Sequence, residues 1–474
     1  MQPNLEKATR LYGEKTKSFN KRFRLTPYSL TELTEYVNAL LEVKKACAQL
    51  NARLGALSAE AASAIGWACD QLSSGRHREQ FVVDSWALNA AVNTNVNEVV
   101  AGLANQYLDD QGISARVTVD DVNRSQSAND VCPTAQAIAL YRLSAKTISA
   151  IKNLEKALAE KAIEFKDILK VGRVGLRDSL PITFGQELAG WHATLVRNRK
   201  RLEVVREELT HIPLGGTVIG TGFGTPVGYF DQICKELSKV TGISLDHGDY
   251  DEAPIENASV FSLIQSNDTL AAMAQAAQAV ALSIAQISND LYIFSSGPRT
   301  GIRELTLPAI APGSSIMPGK LNPLMPELML QIMQQGSGNA MVASLAQNDL
   351  ALDVATHSTA SFFGAYELLE LLARGSEKFT QLCIKGLGVN AEHSVCEACR
   401  SPALAQIIGM IFSIDDQKRV LQTMKDMAIS CEEAVVDLGL CSSDEAKRLF
   451  DLLRWTDSRL SSALIRDFIL ARKA

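Results

Sequence analysis

The sequence predicts a mainly α protein, on three observations: long apolar stretches at helical spacing, no series of alternating strand patterns, and glycine and proline gathered into a few short segments. Leu30 to Leu54 places Leu33, Val37, Leu40, Leu41, Val43 and Leu50 near helical spacing. Ala135 to Ala162, Gly190 to Leu209 and Leu324 to Leu345 repeat the pattern. The most apolar stretch, Leu270 to Ile287, carries Gln275, Gln278, Ser283 and Gln286. Four such interruptions are rare in a membrane span, so this helix is expected at the centre of a bundle. Two more helices are expected in the tail, over Ser413 to Met427 and Ser442 to Leu453. The second opens with Ser442 and has Glu445 three residues on, the pattern of a capping box. Three sections follow: an N-terminal helical domain over 1–124, a central bundle of very long helices over 125–375, and a C-terminal helical domain over 376–474.

The 474 residues are 46% hydrophobic with a formal charge of -6, and the mean hydropathy is +0.02. A large core can be buried, and the slightly acidic balance offers neither nucleic acid nor an anionic membrane a binding surface. A small-molecule partner is expected. The nine cysteines are scattered, and the close pair Cys396 and Cys399 in CEAC has no second pair or histidine arrangement to complete a zinc site, so it reads as helix packing. No metal or cofactor is expected, and the cysteine usage fits a reducing cytoplasm.

Four polar stretches are read as interrupting the helices: ALNAAVNTNVNEVV around 90, VNRSQSANDVCPTA around 128, VGRVGLRDSLPITFGQE around 178, and GSSIMPGKLNP over 313–323. In the last, Gly313 and Gly319 permit backbone angles closed to other residues while Pro318 and Pro323 fix φ, so it reads as a shaped loop. The bland alternative is a solvated turn. The second and fourth stretches are expected near helix starts, where free N–H groups and the helix dipole attract anions. Together the four suggest a polar site built from separated segments.

GSSIMPGKLNP followed by Glu327 resembles the signature of the aspartase/fumarase superfamily. NVNEVV, VNRSQSANDVCPTA, SLPITFGQE, GGTVIGTGF and NDLYIFSSGPRTGIRELTLPAIAP resemble that family in its own order, and the resemblance covers nearly the whole chain. It implies a three-domain α fold whose central helices assemble into a homotetramer, with each active site combining segments from three subunits. It implies reversible β-elimination that forms a C=C bond beside an acid group.

In such an elimination a base takes a weakly acidic proton next to a carboxylate, and the resulting enediolate needs donors and cations. Ser314 resembles the family's serine base; Lys320 and Asn322 resemble the groups that hold the carboxylate, with Ser315 and Glu327 in support. A serine alkoxide needs backbone N–H donors, a helix N-terminus or Lys320 beside it. Ser127 and Asn129 resemble the carboxylate-binding groups of the second motif, although Ala128 stands where fumarases have serine and aspartases threonine. Asn95 resembles a site-lining asparagine and could equally be a helix cap.

Two family motifs are altered. The first motif's Ser-Gly-Thr falls on Leu88, Asn89 and Ala90, leaving Asn89 as the one polar group. The third motif's Gly-Arg-Thr-His reads Gly172, Arg173, Val174, Gly175, and none of the six histidines replaces the lost one. That histidine helps protonate a poor leaving group such as hydroxide. Arginine meanwhile appears at 177 and 303, offering a fork for phosphate, sulfonate or carboxylate, against the alternative that either makes only a surface ion pair. The pattern implies retained carbanion chemistry on a changed anionic substrate, such as phosphate elimination from phosphosulfolactate on a route to coenzyme M. The alternatives are an ammonia or amine lyase, a fumarase-like hydratase of unusual specificity, and a tetrameric relative without catalysis.

Overall fold

The computed structural model describes residues 30–81, 83, 89–248, 252–311, 313, 316–317, 319–347 and 352–473. Ser314 and Ser315, and with them the expected base, lie outside the described residues, as do Leu88 and Pro318. In chain order the main elements are α1 (Thr34–Arg53), α2 (Ala59–Ser73), α3 (Asn89–Asp110), α4 (Ala128–Glu164), β1 (Leu169–Val174), β2 (Arg177–Thr183), α5 (Phe184–Glu208), α6 (Tyr229–Thr241), α7 (Ala258–Gln265) and α8 (Asp268–Phe294). Then come β3 (Leu305–Thr306), α9 (Leu324–Ala346), α10 (Ser358–Phe379), β4 (Gly388–Val389), α11 (Ala391–Arg400), α12 (Gln406–Ile411), α13 (Ile414–Met427), α14 (Cys431–Asp437), α15 (Ser443–Leu449) and α16 (Ser458–Lys473). The mainly α expectation holds for the described residues.

The contacts gather the chain into two compact units. The first comprises residues 1–149, 198–281 and 332–374. Its α1 turns Val37, Leu40, Leu41, Val43, Cys47 and Leu50 inward and packs on α2 and α3, whose Ile65, Leu72, Val96 and Leu103 are likewise fully or almost fully buried. That is the helical stripe read from the sequence, and burying it is the main drive for this packing.

The second unit comprises 150–197, 282–331 and 375–474. Its core joins Leu169 and Val171 of β1 to Ile408, Val420, Val435, Leu449, Leu464 and Phe468 of the tail helices. Ser413, Ser430 and Ser442 each cap a tail helix, and the last two form capping boxes with Glu433 and Glu445. The helix expected over Ser442 to Leu453 breaks in two, because α15 ends at Leu449 and a new turn starts at Leu452. The break lets Leu449, Phe450 and Leu452 all enter the core.

Of the remaining expectations two are corrected, for the stretch around 90 and for the cysteine pair, while the stretch around 178 does interrupt the helices. The stretch around 90 does not interrupt a helix: NTNVNEVV lies inside α3. The stretch around 178 is an antiparallel hairpin, β1 with β2, in which Val174 pairs with Arg177 across Gly175 and Leu176. Both turn residues have positive φ, 56° and 63°, as a tight two-residue hairpin turn demands. Cys396 and Cys399 are exposed on α11 and do not pack, because that helix buries its opposite face through Ser394 and Ala398. Among the described residues, α8 is the helix long and apolar enough to cross a membrane, and 61% of its most apolar window is buried within the chain.

Candidate active site

In the first unit the second motif is fastened at the start of α4. The Ser127 amide donates to Asp130 Oδ1 at 2.9 Å, while Ser127 Oγ accepts from the Asn129 amide at 3.3 Å. This is the reciprocal logic of a capping box, with aspartate in the return position. Oδ2 of Asp130 accepts from the amides of Gly215 and Thr217, both at 3.0 Å, tying the helix start to the GGTVIGTGF loop. Asn129 Nδ2 adds a bond to the Val218 carbonyl at 2.8 Å. Burial pushes the Asp130 carboxyl up to about 6, against the pull of its three N–H donors and of Lys44.

Sequence reasoning missed both Asp130 and Lys44. The Lys44 ammonium is fully buried and donates to Asn93 Oδ1 at 2.6 Å, Gln126 Oε1 at 2.9 Å and Asn123 Oδ1 at 3.1 Å. Its burial lowers its pKa to about 8. The signal was available: Lys44 falls seven, four and three residues after Val37, Leu40 and Leu41, on the face that turns inward.

Asn95 is buried in the interior of α3, so the helix-cap alternative falls. Its neighbours Asn93 and Asn97, one turn apart, both reach Asn123 Oδ1, at 3.0 and 3.1 Å. Asn89, the first residue of α3, donates to Ser358 Oγ at 2.7 Å, and its Oδ1 accepts from Gln136 and Thr359 at 3.4 Å. A hydroxyl pair therefore does stand beside Asn89, supplied by the start of α10.

In the second unit the base of the GSSIMPGKLNP loop is closed. Asn322 Nδ2 donates to the Gly313 carbonyl at 3.0 Å, and a Cβ on Gly313 would lie 1.5 Å from the Lys320 carbonyl oxygen. Gly313 is thus required for close approach and not, as expected, for a left-handed backbone, which only Gly319 adopts, at φ 85°. Lys320 is exposed, Asn322 half-buried, and Glu327 lies in the first turn of α9. A carboxylate there is favoured by the helix dipole.

The two arginines differ in setting. Arg177 is exposed beside the hairpin turn. Arg303, at φ 57°, turns back on its own loop: its amide donates to the Ser296 carbonyl at 3.0 Å and Nη1 to the Pro298 carbonyl at 3.3 Å, while Nε is buried without a partner. Neither lines the cavity of about 720 Å³ beside the hairpin, whose wall includes Lys170, Arg173, Glu187, Asp290, Phe294 and Trp455. Inside that wall Lys170 pairs with Glu187 at 2.6 Å and sits 3.8 Å from the Phe294 ring centre. Arg173 grips the fully buried Glu304 with two bonds, at 2.7 and 2.8 Å. Burial raises both the Glu187 and Asp290 carboxyls.

Comparison with known proteins adds the following. A lyase family profile matches residues 4–338. The chain is 33% identical over 445 residues to a class II fumarate hydratase of Ralstonia nicotianae, covering 92% of this chain and 94% of the relative. It is 34% identical over 436 residues to an aspartate ammonia-lyase of Helicobacter pylori, covering 90% of each. Among solved structures it resembles a fumarate lyase:delta crystallin of Brucella melitensis with a TM-score of 0.86 and 32% identity, over 94% of this chain and 95% of that one. A class II fumarase of Schistosoma mansoni aligns with a TM-score of 0.82 and 27% identity, over 89% and 91%.

Proposed function

Because the chain belongs to the aspartase/fumarase superfamily and is a lyase of that type, we propose that it performs β-elimination through an enediolate-like carbanion on a substrate whose leaving group is an anion, with phosphate loss from phosphosulfolactate as the leading instance. Ser314 takes the proton, Lys320 and Asn322 hold the carboxylate on which charge accumulates, and Ser315 and Glu327 support them. Ser127, Asn129, Asn89 and Asn95 line the substrate, and Arg177 and Arg303 meet its phosphate or sulfonate. The working form is a homotetramer of three-section subunits, divided near 124 and 375, with each site drawn from three chains.

The observation that carries this reading is the hairpin tip. Where the family places a histidine that protonates a departing hydroxide, this chain has Gly175 in a left-handed turn, with Arg177 exposed two residues on. Phosphate leaves without obligatory protonation, and a guanidinium fork stabilises it. The relatives named fumarate hydratase and aspartate ammonia-lyase support the second reading, hydration or deamination of unusual specificity.

The test is a panel of succinyl, sulfo and phospho acids, with phosphate, ammonia and alkene absorbance all measured. Phosphate release from a phospho-sulfo acid is expected, with a loss of at least about 100-fold in Ser314→Ala. Release of ammonia, or hydration of fumarate without phosphate release, would replace this reading by the second. Gly175→His is the converse experiment. Histidine is among the residues that tolerate positive φ, and nothing lies within 4 Å of the added Cβ. The variant is expected to fold and to gain fumarate hydration over the parent.

A further inference from the structure

A charge buried inside a protein needs a reason, since removing an ammonium from water costs several kcal/mol unless its surroundings replace the hydration. Lys44 meets three side-chain amide oxygens, from Asn93, Asn123 and Gln126, at 2.6 to 3.1 Å. An ammonium has three N–H bonds and accepts nothing, so all three are spent. The consequence falls on the amides. With each oxygen turned to Lys44, each NH2 must point elsewhere, and two of them point into the chain that leads to Ser127. Asn123 Nδ2 donates to the Gln126 carbonyl at 3.3 Å; Gln126 Nε2 donates to the carbonyls of Val122 and Arg124 at 3.0 and 3.1 Å. Asn93 and Asn97 close the network from α3 by donating to the same Asn123 oxygen.

Two turns along α1, Asn51 extends the same grip. Its Nδ2 donates to the Arg124 carbonyl at 2.9 Å and its Oδ1 accepts from Ser125 Oγ at 2.7 Å. Ser125 itself holds φ at 62°, a left-handed backbone that a serine keeps only when its surroundings determine it. The loop between residues 123 and 127 is thus shaped by one face of α1, with the lysine at the centre of the polar contacts.

We propose that Lys44 is a positioning residue: its ammonium fixes the orientation of Asn123 and Gln126 and so sets the place of Ser127 and Asn129 at the start of α4. The functional half of this inference rests on the reading of those two residues as substrate-holding groups; the structural half does not.

Hydrogen exchange on the full-length enzyme decides it, comparing wild type with Lys44→Met, which keeps the bulk and removes the charge. Exchange over residues 123–130 is expected to rise at least tenfold, with α2 and α6 of the same unit unchanged. Unchanged exchange over 123–130, or an equal rise across α2 and α6, overturns the proposal in favour of simple packing. Should Lys44→Met fail to fold, Gln126→Leu removes one acceptor at the edge of the network. A rise confined to 123–130 supports the proposal there, and no rise overturns it. On whichever acid of the panel is turned over, Lys44→Met is expected to raise KM at least tenfold while kcat falls less than threefold. If Ser127→Ala leaves KM unchanged while the lysine variant still loosens 123–130, the positioning stands and the substrate-holding role of Ser127 fails.

Discussion

Asp130 links a helix start to a glycine-rich loop through three backbone N–H bonds, and it does so from a fully buried position. Its folded carboxyl keeps its proton up to about 6, whereas the unfolded chain releases it near 3.8. Between those values the folded state binds more protons, so this residue's contribution is greatest below 3.8 and is lost as pH rises to about 6. Denaturant titrations of wild type and Asp130→Asn are expected to show the wild type losing up to roughly 3 kcal/mol relative to the variant over that window. A constant difference between the two would show that folding leaves the Asp130 carboxyl unshifted. No sequence pattern announces such a group. An aspartate at the third position of a helix reads as an ordinary capping partner until the Gly215 and Thr217 amides arrive from 85 and 87 residues away.

At the scale of elements, the helices were legible because a repeating apolar face is a local signal. The capping box at Ser442 was legible for the same reason. The β1–β2 hairpin was not, although Gly175 marked its turn, because a two-residue turn flanked by Val174 and Arg177 carries no long alternation to count. The loop at 313–323 was recognised as shaped, but for one wrong reason. Gly313 serves a close approach to the Lys320 carbonyl. Gly313→Ala is therefore expected to force the loop base open and break the Asn322 bond to the Gly313 carbonyl. Thermal unfolding would then fall by the equivalent of about 1–3 kcal/mol, the usual range for overpacking against backbone. An unchanged melting temperature would mean that the loop base closes in some other way.

At the scale of the whole molecule, several large apolar side chains remain uncovered within one chain. Phe223 and Val227 are 86% and 98% exposed in the first unit, and Leu321 is 60% exposed in the second. The proposed tetramer gives them partners. Light scattering is expected to return four times the 51.4 kDa chain mass, and the melting temperature should rise with protein concentration. A stable monomer at micromolar concentration would remove the shared-site model. The helical class, the loop that carries the candidate base and the alteration of the third motif are legible in the chain alone, because periodicity, glycine and proline placement and residue identity are properties of short windows. It took the folded chain to show that NTNVNEVV is helix interior, that the rewritten motif is a hairpin turn, that Lys44 sits beneath the second motif and that the motif's own Asp130 is buried against the Gly215 and Thr217 amides. The settings of Lys44 and Asp130 depend on contacts between residues tens of positions apart, where burial changes what a charged side chain can do.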